Sequence, residues 1–208
     1  MILYVNGDSH SVGVGVPMHD SFAYIVAQKV NMRLENQSSS GASNQKIIRT
    51  TREYIKTNRP NFVLIGWSTW EREEWLHNNQ YYQINSSGAE QLPPVLQARY
   101  KAWIATQDSN SMDSKSQHWH EQIYQLHLEL KQQNIQHLFF NCMYNFFKIS
   151  KKLQWINNYV DPYNNESSYY WYLKNKNYTT DSWYHYGADG HDAWAKFLIN
   201  YIEKYKLI

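Results

Sequence analysis

The sequence predicts a single α/β domain built on a parallel sheet covered on both faces. Short apolar runs stop abruptly at turn residues: residues 2–5 (ILYV) run into Asn6-Gly7-Asp8-Ser9, and residues 62–65 (FVLI) run into Gly66. Segments with apolar residues at helical spacing alternate with these runs, the pattern of strand–helix–strand units. The chain has 208 residues, enough for one domain with a sizeable core, and no internal repeat.

In chain order, residues 2–5 form the first strand, and Gly7 allows the sharp turn after it. The glycine-rich piece with Gly13 and Gly15 is no phosphate loop, because no Gly-Lys-Ser/Thr follows. Asp20 or Ser21 caps a helix to about Met32, with Phe22, Ile25, Val26 and Val30 on its inner stripe. Residues 34–37 make a weak second strand leading to the turn Ser38-Ser39-Ser40-Gly41. Ser43 or Asn44 caps the next helix, which Asn58 and Pro60 end. Residues 62–66 are the clearest strand; the charged run Glu71-Arg72-Glu73-Glu74 beyond it reads as a solvated face, with ion pairs holding a loop as the other option. From His77 to Ser116 the pattern breaks down around a helix at 95–106, and this stretch reads as an insertion after the third strand, either a lid or an edge cover. A helix at 118–133, a fourth strand at 135–140, a short fifth at 155–160 and a closing helix at 193–202 complete the order, for about five strands.

Composition narrows the function. Lys and Arg total 20 against 18 Asp and Glu, a net charge of +2 with no clustered basic face, so no nucleic-acid partner is expected. The single Cys142 excludes an internal disulfide and a cysteine-based zinc site. No run approaches the ~20 apolar residues of a membrane span, and no basic start with a long apolar core marks a signal peptide. A soluble, cytoplasmic protein is the expectation, with no membrane partner. Richness in Asn, Tyr, Lys and Ile, all read from AT-rich codons, fits an AT-rich genome such as that of a phage; host cytoplasm or virion would then be the location.

Ser9 falls just past the carboxyl end of the first strand, where open α/β sheets bind ligands. Asn, Gly, Asp and Ser are also ordinary turn residues, so this stretch alone reads as well as a turn. Near the other end lies Asp181-Ser182-Trp183-Tyr184-His185, followed by Gly190 and Ala195 in an amphipathic segment. Gly7-Asp8-Ser9, the glycine of Ser39-Ser40-Gly41-Ala42-Ser43-Asn44, Ile65-Gly66-Trp67-Ser68 and His185 together resemble the ordered blocks of the SGNH/GDSL hydrolase family. The resemblance spans the whole chain and implies a three-layer α/β/α flavodoxin-like fold, a serine esterase of the acetylesterase kind and no cofactor.

In that family's chemistry Ser9 attacks the acyl carbon, and His185 takes the proton and later returns it to the leaving alcohol. A carboxylate orients the imidazole. The family's oxyanion donors map to the Ser9 and Gly41 backbone amides and to Ser68, with Asn44 or Thr69 as alternative donors. Two departures stand out. Ser68 replaces the usual Asn, and Asp181 lies four residues before His185 where the family carboxylate lies three before, at Ser182. A rival assignment uses His191 with Asp189 or Asp192; a weaker one uses Asp8, His10, His19 and His185 as metal ligands. His118, His120 and His127 lack the spacing of a zinc helix. The Tyr- and Trp-dense stretch at 163–178 suits sugar stacking if exposed and core if buried. The expected partner is therefore a small-molecule or carbohydrate ester substrate, most plausibly an O-acetylated sugar. The competing reading is a non-catalytic carbohydrate-binding or virion-associated module.

Overall fold

The computed structural model describes residues 1–208. Four parallel strands form the sheet: β1 (Ile2–Asn6), β2 (Arg33–Asn36), β3 (Phe62–Trp67) and β6 (Gln136–Asn141), in the order β2-β1-β3-β6. In β3 every side chain is buried, as expected of a strand covered on both faces. One face carries α2 (Phe22–Lys29), the short α6 (Tyr169–Lys174) and α7 (Ala188–Tyr205), whose apolar sides close with β1 and β6 over a core that includes Phe22, Val26, Phe140, Trp194 and Leu198. The other carries α3 (Asn44–Thr57) and α5 (Ser109–Gln132), over Ile47, Trp67, Ile123, Leu126 and Phe139. The layers are thus helix, sheet, helix, the three-layer architecture expected from the family blocks.

The strand count differs from the expected five. Tyr159 makes a single parallel bridge to Phe139, closed by Phe139 N–H to Asn158 O and Val160 N–H to Phe139 O, both 2.8 Å. Ile156, at φ 55°, and Asp161, at φ 28°, bend the chain on either side, so pairing ends there.

The insertion has its own order. β4 (Glu73–His77) and β5 (Gln80–Ile84) make an antiparallel hairpin, and α4 (Pro94–Ala105) packs on it around Trp75, Ile84, Leu96, Tyr100 and Trp103. The Ser- and Asp-rich stretch at 108–116 is the first part of α5, not loop. A reciprocal cap starts it: Ser111 N–H donates to Asp108 Oδ1 at 2.7 Å, and Asp108 N–H to Ser111 Oγ at 2.9 Å. The charged run at 71–74 is likewise no solvated face. Glu74, 4% exposed, holds Arg49 at 2.8 Å, Glu73 holds Lys115 at 3.0 Å, and Arg72 turns inward to Asp8.

Candidate active site

The site begins at the end of β1. Asp8 caps α1 (Ser9–Val12), its Oδ1 accepting the His10 N–H at 3.1 Å, and Gly13 at φ 83° ends the turn. Ser9 is the first residue of that turn, where backbone amides have no partner inside the helix. The turn sits hard against β3: a Cβ on Gly7 would lie 2.3 Å from Ser11 Oγ, and one on Gly66 would lie 2.5 Å from the same atom. Both glycines are therefore required by close approach. Asn6, also buried, ties the strand end to α3 by bonds to Thr50, Thr51 and Ile47 O.

The Gly41 loop is held to this turn. Ser39 N–H donates to Gly7 O at 3.0 Å, and Ser43 then caps α3. Gly41 adopts φ 73°, a conformation costly for other residues, and its N–H makes no hydrogen bond within the protein. From the insertion, Gln83 Oε1 accepts the Ser43 N–H at 2.9 Å, and Asn85 Nδ2 lies 3.3 Å from where a Gly41 Cβ would be. The hairpin thus borders the Gly41 loop and the start of α3.

His185 arrives from the opposite side. Its ring lies 5.5 Å from that of His10, and its Cβ 3.9 Å from the position a Cβ on Gly15 would take. His185 Nδ1 lies 3.3 Å from Asp181 Oδ2. The one-residue departure is absorbed locally. Asp181 Oδ1 accepts the N–H of Trp183 at 2.8 Å and of His185 at 2.9 Å, Asp181 N–H donates to His185 O, and Tyr184 takes the left-handed conformation at φ 67°. These amide bonds, the His185 amide first, hold the Asp181 carboxyl below the usual carboxylate range. No hydrogen bond joins Ser9 Oγ to His185 in this arrangement.

The side chains expected to supply the third oxyanion donor are committed elsewhere. Ser68 Oγ donates its only hydrogen to Asp8 Oδ2 at 3.2 Å and accepts from Arg72 Nη1 at 2.9 Å. Asn44 is fully buried and grips the Ser68 backbone, accepting from its N–H at 2.9 Å and donating to its O at 3.2 Å. Thr69 Oγ1 donates to Glu71 Oε1 at 2.7 Å. These commitments correct the assignment of Ser68 as a hydroxyl donor. The hydroxyl has one hydrogen, and it is given to Asp8.

The rival residues disperse. His191 is buried, stacks on Phe22 and accepts the Phe22 N–H at 3.3 Å; burial pushes it down to about 4. Asp189 caps Gly190 and Asp192 pairs with Lys196. His19 is exposed beside Asp20, away from Asp8. His120 binds Tyr163 Oη at 2.7 Å, and His127 binds His137 at 2.8 Å. No three His, Cys, Asp or Glu side chains are arranged to hold a metal ion. Cys142 is fully buried and its thiol is pushed well up by burial, which removes it as a nucleophile. A 530 Å³ cleft between α3 and α5 contains neither Ser9 nor His185, and its Arg49 and Arg52 are already paired with Glu74 and Glu129.

Sequence reasoning gave two neighbours no individual role at the site: Arg72, hidden in a charged run, and Asn85, in an insertion without periodicity; His10 it weighed only as a metal ligand. Only the inward turn of the chain at Trp70, fully buried in the core, would have pointed to Arg72.

No protein-family model and no curated protein matches the sequence. Solved structures do match in fold. The psychrotrophic esterase EstA from Pseudoalteromonas sp. aligns over 98% of this chain and 97% of its own, at 9% identity and a TM-score of 0.52. TesA aligns over the full length of both chains at 10% identity and a TM-score of 0.53. A carbohydrate esterase, its active site described as displaying divergent catalytic and non-catalytic binding functions, aligns over 98% of this chain and 64% of its own, at 14% identity and a TM-score of 0.51. The chain therefore shares the α/β fold of these proteins. No helix is long and apolar enough to cross a membrane.

Proposed function

We propose that this protein is a serine esterase that removes an acetyl group from a carbohydrate. The observation that carries this is the Asp181–His185 pair folded onto the turn that begins at Ser9. Asp181 fixes the tautomer with hydrogen on Nδ1 and leaves Nε2 as the base. Movement of Ser9 or His185 on substrate binding closes the remaining hydrogen bond, as is common in unliganded sites.

Ser9 Oγ forms the bond to the acyl carbon as its proton passes to His185 Nε2. The carbonyl pair moves onto oxygen, where the Gly41 and Ser9 N–H groups meet it. Collapse expels the alcohol, which takes the proton from His185. Water then attacks the acyl-enzyme through the same base, releasing the acid and restoring Ser9.

The carbohydrate is supported by the surface around the base. Trp183 is 71% exposed, Tyr184 55% and Tyr144 41%, although large aromatic rings are ordinarily buried. Tyr170 sits 5.9 Å from Tyr184, extending the surface. Flat rings beside a polar site suit the apolar face of a pyranose.

Acetate release from p-nitrophenyl acetate and from an acetylated oligosaccharide tests the reading. Turnover on both, abolished in Ser9→Ala, is expected. Turnover unchanged in Ser9→Ala would overturn it, and glycan binding without turnover would favour a binding module.

A further inference from the structure

We propose that Arg72 supplies the side-chain donor of the oxyanion site, in the place the family blocks assign to Ser68; this rests on the serine-esterase reading. Ser68, Asn44 and Thr69 are each committed or sealed from substrate. Arg72 is neither. Its Nη1 binds Asp8 Oδ2 at 3.2 Å and Ser68 Oγ at 2.9 Å, while Nε and Nη2 make no hydrogen bond within the protein. Its side chain is 19% exposed, while that of its partner Asp8 is 1% exposed, so water and substrate reach the guanidinium but not the carboxylate.

The anchor ties the guanidinium to the turn that carries Ser9. Asp8 immediately precedes Ser9, and its other oxygen holds the His10 N–H at 3.1 Å. One carboxylate thus frames both the turn carrying Ser9 and the guanidinium. Where the family blocks have Asn, the Ser68 hydroxyl instead accepts a hydrogen bond from Arg72 Nη1 at 2.9 Å. The ion pair with Asp8 also fixes the orientation of the group before any substrate arrives. A preorganised dipole costs no reorganisation as charge develops on the carbonyl oxygen. Arg72 keeps all its protons through both steps; the only proton in flight is the one exchanged by Ser9, His185 and the alcohol or water.

A charged donor makes a stronger bond to an oxyanion than a neutral amide. Arg72→Ala is therefore expected to lower kcat by roughly 10²- to 10³-fold with KM changed by less than about threefold. Added guanidinium at millimolar concentration should restore part of kcat in Arg72→Ala and none in Ser9→Ala. Arg72→Lys keeps a positive charge opposite Asp8 but lacks the planar fork. It should melt like the wild type, yet lose kcat at constant KM. Should Arg72→Ala fail to fold, Arg72→Lys decides alone. Wild-type kcat in folded Arg72→Lys, or a loss in Arg72→Ala that tracks its melting temperature and ignores guanidinium, would overturn the assignment. A Ser9-dependent enzyme indifferent to Arg72 removes this inference alone. A wild-type chain without Ser9-dependent turnover removes the esterase reading and this inference with it.

Discussion

The two halves of the site are built differently. The Ser9 half is made by the sheet: β1 ends at Asn6, whose amide is held by α3, and the following turn is packed against β3 and locked through the buried Asp8 to Ser68 and Arg72. The His185 half is made by itself. Five consecutive residues close a ring of hydrogen bonds around Asp181, whose side chain is 47% exposed, and one bridge from Thr180 to Tyr186 holds its neck. A proposed nucleophile placed by long-range packing and a proposed base placed by local turn chemistry should respond differently to substitution.

The largest expected effect is on the exposed half. His185→Ala should reduce kcat on p-nitrophenyl acetate by at least about 10³-fold, since both proton transfers pass through it. It should leave the melting temperature almost unchanged, because the turn rests on Asp181. A matching loss of stability would erase the contrast between the halves.

Asp8→Ala probes the buried half. It removes the cap of α1 and strands the Arg72 guanidinium, and should cost about 3 kcal/mol in urea unfolding, the scale for breaking a buried ion pair. A change under about 1 kcal/mol would mean the pair behaves as a surface one.

Asp181→Asn lies between these. The amide can still accept the Trp183 and His185 N–H groups through Oδ1, but it presents a donor to His185 Nδ1 and favours the wrong tautomer. Water reaches this side chain, so a loss of about 10- to 10²-fold in kcat is expected, less than in sites with a sealed carboxylate. A loss as large as that of His185→Ala would show that the pair is shielded when substrate binds.

How far these differences were legible in the sequence follows from the same physics. Strands β1, β3 and β6 announce themselves because a strand buried on both faces must be apolar throughout. The Ser-rich start of α5 was misread because its cap, Asp108 with Ser111, uses the residues that also make turns. The fifth strand shrank to one bridge at two positive-φ residues that no apolar pattern reveals. Of the proposed site, Ser9 drew notice by its place just past the first strand, whereas Gly41 and His185 were named only through the resemblance of the ordered blocks. Asp181 was readable only as an irregularity, because its reach depends on the conformation of Tyr184. The fate of Ser68 depends on Arg72, four residues away, and four charged residues in a row carry no sign of which one turns inward.

Smaller effects should follow from the surfaces. Trp183→Ala should raise KM for an acetylated oligosaccharide by about 5- to 10-fold, the scale of one aromatic contact, and leave p-nitrophenyl acetate untouched. Equal loss on both would place Trp183 in positioning His185, not sugar.

Acid separates the buried core from the exposed His185 turn. Burial pushes His120, His127, His137 and His191 down to about 4, against about 6.5 in the unfolded chain. The unfolded state then binds more protons between those values, so the stability they contribute is complete above about pH 6.5 and drains as pH falls toward 4. Asp181, held below its usual range, contributes above about pH 4 and loses its contribution only below that. Urea midpoints should therefore fall between pH 7 and pH 5; a flat profile would show that the buried histidines relax without cost.

The most direct measurement is covalent trapping of the nucleophile. A fluorophosphonate probe mimics the tetrahedral intermediate and labels a serine only where a base and an oxyanion site act on it together. Mass spectrometry should find one phosphonyl group per chain on the peptide containing Ser9, with labelling lost in Ser9→Ala and slowed in His185→Ala and Arg72→Ala. Labelling elsewhere, or none at Ser9 in folded protein, would contradict the assignment of Ser9 as nucleophile.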